Sequence, residues 1–288
     1  MNGPRDSGAL RSAWINPLLW PAFGVIAALL VAPMAVLVAY SLWHFVPGGI
    51  TDHSWTLENY RRLFGDGFYL GVLWNTARLG IVVVLLSLLL GFPTALFLAR
   101  TRSRAKPLLV YLVFVPMMIS LVVRAYGWIV LLGYNGVVNG VLLWLGVIEA
   151  PLRMLGNEHA VAIALVEVLL PFMVLPLVTA LEAIPQAVEE AARVLGAGRW
   201  QVFRRVILPL AMPGVISGSL MVFSLAMTAY ALPALIGGGQ VKMISALAYD
   251  SILVSYNWPF GSAIGVLMVV ASTALIVGYL RLVPGRRG

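Results

Sequence analysis

Leu79-Gly80-Ile81-Val82-Val83-Val84-Leu85-Leu86-Ser87-Leu88-Leu89-Leu90 carries no charge and almost no polarity. It is the centre of a longer apolar stretch over about 70–99. A helical crossing of a bilayer needs about 20 mostly apolar residues, so this segment reads as a transmembrane helix. Five further stretches outward from it have similar character, at about 18–43, 108–132, 160–181, 206–232 and 262–282. The first contains Pro21 and Pro33, which membrane helices tolerate. It is too long for a signal-peptide core and lacks a small-residue cleavage pattern. The expectation is an all-α integral membrane protein of six spans over 18–282, with tails at 1–17 and 283–288. One apolar stretch remains, 137–148. It is too short to cross and reads as an interfacial or re-entrant helix. If it crossed, the count would be seven and the C-terminus would change sides.

Composition agrees. Of the 288 residues 61% are apolar and 10% charged, against about 25% charged in a soluble domain. Cys is absent, which excludes disulfides and thiolate metal sites. The three His residues show no metal-ligand spacing. The net charge of +8 is explained by placement. Arg5, Arg11, Arg100, Arg102, Arg104, Lys106, Arg193, Arg199, Arg204, Arg205, Arg281, Arg286 and Arg287 fall on one side of the six-span scheme. Only Arg61, Arg62, Arg153 and Lys242 fall on the other. The positive-inside rule puts both termini and the loop 182–205 in the cytoplasm. A nucleic-acid role is not needed to account for the charge.

The cytoplasmic loop 182–205 predicts a short amphipathic helix. Pro185 suits a helix start, and Glu189 and Glu190 suit its positive end. Glu189 and Arg193 are spaced to pair, while Val188, Ala191, Ala192 and Leu195 form an apolar strip. Gly196 and Gly198 are expected terminators. Two readings stand side by side: a helix lying on the membrane or its own bundle, and one docking a soluble partner.

The run Glu190-Ala191-Ala192, then Gly196, Val206 and Leu208-Pro209, resembles the signature loop of permeases from binding-protein-dependent ABC importers. Val206 stands where that family usually has Ile. The resemblance covers about 18–282. Arg124-Ala125-Tyr126-Gly127-Trp128, Gly133, Asn135-Gly136, Asn139, Pro233, Leu235-Ile236-Gly237-Gly238-Gly239, Asn257-Trp258-Pro259 and Trp55-Thr56-Leu57-Glu58-Asn59-Tyr60 look most like the polyamine-type members. The resemblance implies a type I importer permease fold: six transmembrane helices and a cytoplasmic coupling helix, in a bacterial inner membrane. It implies ATPase-coupling roles for Glu189, Glu190, Ala191, Ala192, Gly196 and Gly198. It also implies a second permease subunit, a different chain by analogy, together with two cytoplasmic ATPase subunits and an external solute-binding protein. The chain has no Gly-x-x-x-x-Gly-Lys-Ser/Thr loop, so it is not itself the ATPase. No catalytic or metal site and no cofactor of its own is expected; ATP and Mg belong on the partner.

Charged residues within the membrane are expensive and usually face protein or water. Glu167 in the fourth span has three readings: pairing with Arg78 or Arg124, lining the path, or protonation. Arg124, Tyr126, Trp128, Glu167, Thr228 and Tyr230 are the candidate path residues. Tyr230 suits an interface anchor or a gate. Gly214, Ser217, Gly218, Ser219 and Ser224 in the fifth span suit either close packing or a pore lining. Related polyamine permeases carry acids at positions that align with Ala229 and Ala234, and those acids are missing. A polyamine, an amino-acid-like solute and an anion all remain open as cargo. A secondary transporter should show inverted repeats of broken helices, and none is evident. A membrane-embedded enzyme lacks a clustered polar set.

Overall fold

The computed structural model describes residues 7–46 and 50–282. Arg5, Arg286 and Arg287 and the expected tail 283–288 lie outside them. In chain order the elements are α1 (Ser7–Ser41), the strands β1 (Trp43–Val46) and β2 (Ile50–Trp55), α2 (Glu58–Gly65) and α3 (Gly67–Arg100). Then come α4 (Lys106–Phe114), a 3₁₀ turn (Val115–Met118), α5 (Leu121–Leu132), α6 (Val137–Trp144) and α7 (Glu158–Glu182). The rest are α8 (Gln186–Val194), α9 (Arg199–Val202), a π turn (Phe203–Ile207), α10 (Leu208–Thr228), α11 (Ala231–Ile236), α12 (Ile244–Tyr249), a second π turn (Asp250–Val254) and α13 (Trp258–Leu282). They fall into two compact units, Met1–Leu63 with Ala248–Leu267 and Phe64–Leu247 with Met268–Gly288.

In the first unit, β1 and β2 form an antiparallel hairpin with Trp43 opposite Trp55 and Val46 opposite Ile50. The spans form the expected all-α architecture, and this short hairpin is added to it. Buried Asn59 ties α2 to it: its Nδ2 donates to Ser41 O and Trp43 O, both at 3.0 Å. Those carbonyls lie at the last residue of α1 and just beyond it, where no further helical turn supplies donors. Ser41 and Tyr60 share a hydroxyl hydrogen bond of 2.8 Å.

In the second unit, α3, α7 and α10 pack together around Met173, which is fully buried on α7. Gly91 of α3 and Gly218 of α10 flank it. A Cβ at Gly91 would sit 3.0 Å from Met173 Cγ, and one at Gly218 2.8 Å from Met173 Sδ. Small residues let membrane helices approach this closely. α3 has 34 residues, so it is about 51 Å long and outreaches a hydrocarbon core of about 30 Å.

Apolar segments long enough to cross a membrane are Gly24–Ser41, Gly67–Arg100, Leu121–Trp144, Glu158–Glu182 and Arg199–Thr228. α13 covers the expected sixth. Three boundaries differ from the sequence reading. The expected span 108–132 is not one helix: α4 stops, a 3₁₀ turn carries Pro116, and Ile119 and Ser120 are extended before α5. Pro116 offers no N–H and crowds the preceding turn, which breaks the helix there. The short stretch after Gly136 is helical only to Trp144, and Gly146 then takes φ +68°. Finally, the expected span 206–232 ends at Thr228, with Ala229 extended.

Candidate functional site

The loop between α7 and α10 folds as expected into an amphipathic helix. Pro185 is the N-cap of α8. The helix ends in a Schellman closure: Gly196 N–H donates to Arg193 O at 2.9 Å and Ala197 N–H to Ala192 O at 3.0 Å. Gly196 has φ +86°, which a side chain disfavours. Gly198 is different from the expected terminator. Its φ is −67°, and it opens α9, its N–H donating to Gln201 Oε1 at 3.1 Å.

The two faces of α8 are unlike. Glu189 is its one buried residue. Glu190, Ala191, Val194 and Leu195 are exposed, the last two at 87% each. Glu189 Oε1 accepts from Arg100 Nη2 at 2.5 Å, and its Oε2 lies 3.7 Å from Arg193 Nη2. Lys106 Nζ meets Glu182 Oε1 at 2.7 Å, and Arg102 donates to Gln186 Oε1. The basic run that set the topology therefore also ties down α8. Sequence reasoning missed this; the available signal was an acid-free basic loop opposite a loop on the same side bearing Glu182, Glu189 and Glu190.

Within the membrane segments, Arg124 of α5 pairs with Glu167 of α7, Nη2 to Oε1 at 2.6 Å. Trp128 Nε1 approaches the other carboxylate oxygen at 3.5 Å. The Arg124 side chain is 8% exposed and that of Glu167 35%. Spacing of four residues puts Arg124 and Trp128 on one face of α5. Glu167 lines a cavity of about 400 Å³ between α3, α4 and α7, with Thr94, Phe97, Leu109, Pro116 and Leu170 among its walls. Arg78, the other candidate partner, is engaged with Glu158 instead.

Residues 87–288 match the family described as the inner membrane component of binding-protein-dependent transport systems. The chain belongs to this family. The permease is 41% identical over 226 residues to the spermidine/putrescine transport system permease protein PotB of Haemophilus influenzae, covering 78% of this chain and 79% of the relative. It is 39% identical to the PotB of Escherichia coli, over 78% and 82%. In fold it is similar to a chain of a bacterial alginate ABC transporter solved with an alginate pentasaccharide-bound periplasmic protein. The TM-score is 0.71 at 21% identity, covering 94% of each chain. It is thus a multi-pass inner-membrane permease subunit of an ATP-driven importer, with the type I permease fold. It is not an enzyme, and ATP hydrolysis lies on a separate partner.

The remaining path candidates of the permease lie apart in kind. Tyr126 is on α5, two residues from Arg124, and is exposed. Thr228 is exposed, with its hydroxyl donating to Ser224 O at 3.1 Å within α10. Tyr230 lies in the break before α11, and its carbonyl accepts from Ala234 N–H at 3.0 Å. Of the small residues of α10, Gly214 and Gly218 face α7, whereas Ser217 is exposed and bonds back to Pro213 O. Asn139 acts as a buried hub. Its Nδ2 donates to Gly133 O, Tyr134 O and Leu152 O, and its Oδ1 accepts from Leu152 N–H at 2.9 Å.

Proposed function

We propose that the permease docks a cytoplasmic ATPase dimer through the outward face of α8 and imports a polyamine delivered by an external binding protein. The second permease of the pair is a different chain. Both termini lie in the cytoplasm, and the ATPases bind the ATP and Mg. The observation that carries the docking is the pairing of a buried Glu189 with bare Val194 and Leu195 on one short helix. Apolar side chains 87% exposed in a charged loop suit burial by a partner. Gly196 and Gly198 contribute backbone geometry to this surface, and Glu190, Ala191 and Ala192 its small or charged edge.

The polyamine reading is supported by the relatives named for spermidine and putrescine. An amine cation crossing the membrane needs acidic, carbonyl or aromatic partners. Glu167, Tyr126, Trp128, Thr228 and Tyr230 supply that chemistry, with Arg124 balancing Glu167 in the absence of cargo. Uptake of radiolabelled spermidine by vesicles holding the whole complex tests it. Saturable uptake that needs ATP, and falls with Leu195→Asp, is expected. Tight binding of an anion by the external protein, with no spermidine uptake, would overturn the cargo and leave the importer standing.

A further inference from the structure

We propose that Arg100 is a positioning residue for ATP coupling, which holds α8 in the orientation that presents its docking face. This rests on the docking of α8 to the ATPase. The side chain stands at the last residue of α3. One guanidinium serves two partners on different elements. Nη1 donates to Leu181 O, near the C-terminus of α7, at 2.9 Å. Nη2 donates to Glu189 Oε1 on α8 at 2.5 Å, with side chains 20% and 9% exposed. A planar fork aims two donors in fixed directions, which an ammonium on a flexible stem does less well.

The pair matters because the apolar seat of α8 is small, with Ala192 half-buried against the core. Amphipathic helices are normally seated by an apolar face, yet the only buried residue of α8 is the acid Glu189. Its seat is therefore largely ionic, with Ala192 its apolar contact. The other polar contacts of α8 are weaker in kind: Arg102 reaches the neutral Gln186, and Arg193, 58% exposed, lies 3.7 Å from Glu189, and exposed ion pairs contribute little. Glu189 facing Arg100 leaves Glu190, Ala191, Val194 and Leu195 outward, since successive helical residues turn by about 100°. Rotation about the helix axis would bury that face. Chain continuity links α8 only to α7 and, through α9 and the π turn, to α10. Arg100 adds α3, so displacement of α8 reaches all three helices packed around Met173.

The test uses the complete importer purified in lipid nanodiscs, with the ATPase removed and titrated back. Two readouts are taken. One is the half-saturating ATPase concentration. The other is the width of the distance distribution between spin labels at Ala187→Cys and Leu89→Cys, which the absence of native Cys permits. Loss of a charge-assisted hydrogen bond should raise the midpoint roughly ten- to a hundredfold in Arg100→Gln and broaden the distribution. Arg100→Lys should fall between. Arg100→Gln with Glu189→Gln should be no worse than either alone, because one interaction is lost once. A wild-type midpoint and width in Arg100→Gln, or additive effects in the double variant, overturn the proposal. So does a lower yield of complex with an unchanged midpoint in what remains. Leu195→Asp separates the two claims. An unchanged midpoint there overturns the docking of α8 itself. A lost midpoint there, with wild-type behaviour in Arg100→Gln, overturns only the role of Arg100.

Discussion

A methyl group at Gly196 is expected to weaken ATPase recruitment although it touches nothing. A Cβ built there meets no heavy atom within 4 Å, so crowding inside the permease is not the cost. The cost is conformational. With φ at +86°, an L side chain meets its own backbone, at about 1–2 kcal/mol. Relaxing φ would break the closure formed by Gly196 N–H on Arg193 O and Ala197 N–H on Ala192 O, so the helix end frays in either case. A penalty of that size is a factor of about 5–30 in the population of the docking-competent form. Asn accepts the left-handed region more readily than Ala, so Gly196→Asn should cost only a few-fold despite its greater bulk. Back-titration of ATPase onto the purified complex reads both variants. The order glycine, asparagine, alanine is the signature of backbone conformation. If Ala binds as well as Asn or better, the space outside Gly196 decides, and the conformational reasoning is wrong.

Glu167→Ala should lower purified yield and melting temperature, because it strands Arg124 at 8% exposure. Breaking a buried pair costs about 3–5 kcal/mol, and the one-third exposure of Glu167 puts this case at the lower end; adding Arg124→Leu should recover part of the loss in the same thermal scan. Gly214→Ala should destabilise the α7–α10 packing by roughly 1–3 kcal/mol, since its Cβ would stand 2.6 Å from Ala180 Cβ and 2.7 Å from Pro176 O. Gly140→Ala, with open space around it, is the matched control and should melt as wild type apart from a small helix-propensity gain. A single Cys at Leu195 should resist impermeant maleimide in intact cells and react in inverted vesicles stripped of the ATPase; labelling in intact cells would refute the cytoplasmic placement of α8.

Apolar length made the long helices legible. The bilayer asks for length and little charge; α3 and α7 have the length, and their few charges, such as Arg78 and Glu167, do not interrupt the apolar run. The coupling helix was legible for another reason: Pro185, Glu189 and Gly196 act within one short stretch of chain, where local rules apply. Two things were not legible. The break at Pro116 was hidden because proline is tolerated in membrane helices whenever neighbours compensate, as Pro93, Pro171 and Pro176 inside α3 and α7 illustrate. A sequence cannot say which proline is compensated. The inward facing of Glu189 was hidden as well. Spacing offers Arg193 as its partner, but Arg100, 89 residues away in sequence, lies closer, and only the fold brings it there.

The charges are arranged around one helix. α7 carries acids near its start, along its length and at its end, and each meets a base from a different segment. Glu158 meets Arg78 of α3, Glu167 meets Arg124 of α5, and Glu182 meets Lys106 of α4. In a bilayer, apolar packing alone discriminates poorly between rotations of neighbouring helices, because lipid tails are as apolar as the helix faces. Ion pairs at fixed heights remove that freedom. α4 and α5 gain most from this, since the break at Val115–Met118 uncouples their backbones. Lys106 of α4 reaches the C-terminal end of α7, and Arg124 separately ties α5 to the middle of α7 at Glu167. The half of this segment that lines the cavity, α4 with Pro116, thus meets α7 separately from α5, which Arg124 holds. A continuous helix over 108–132 would have forced the two to move as one.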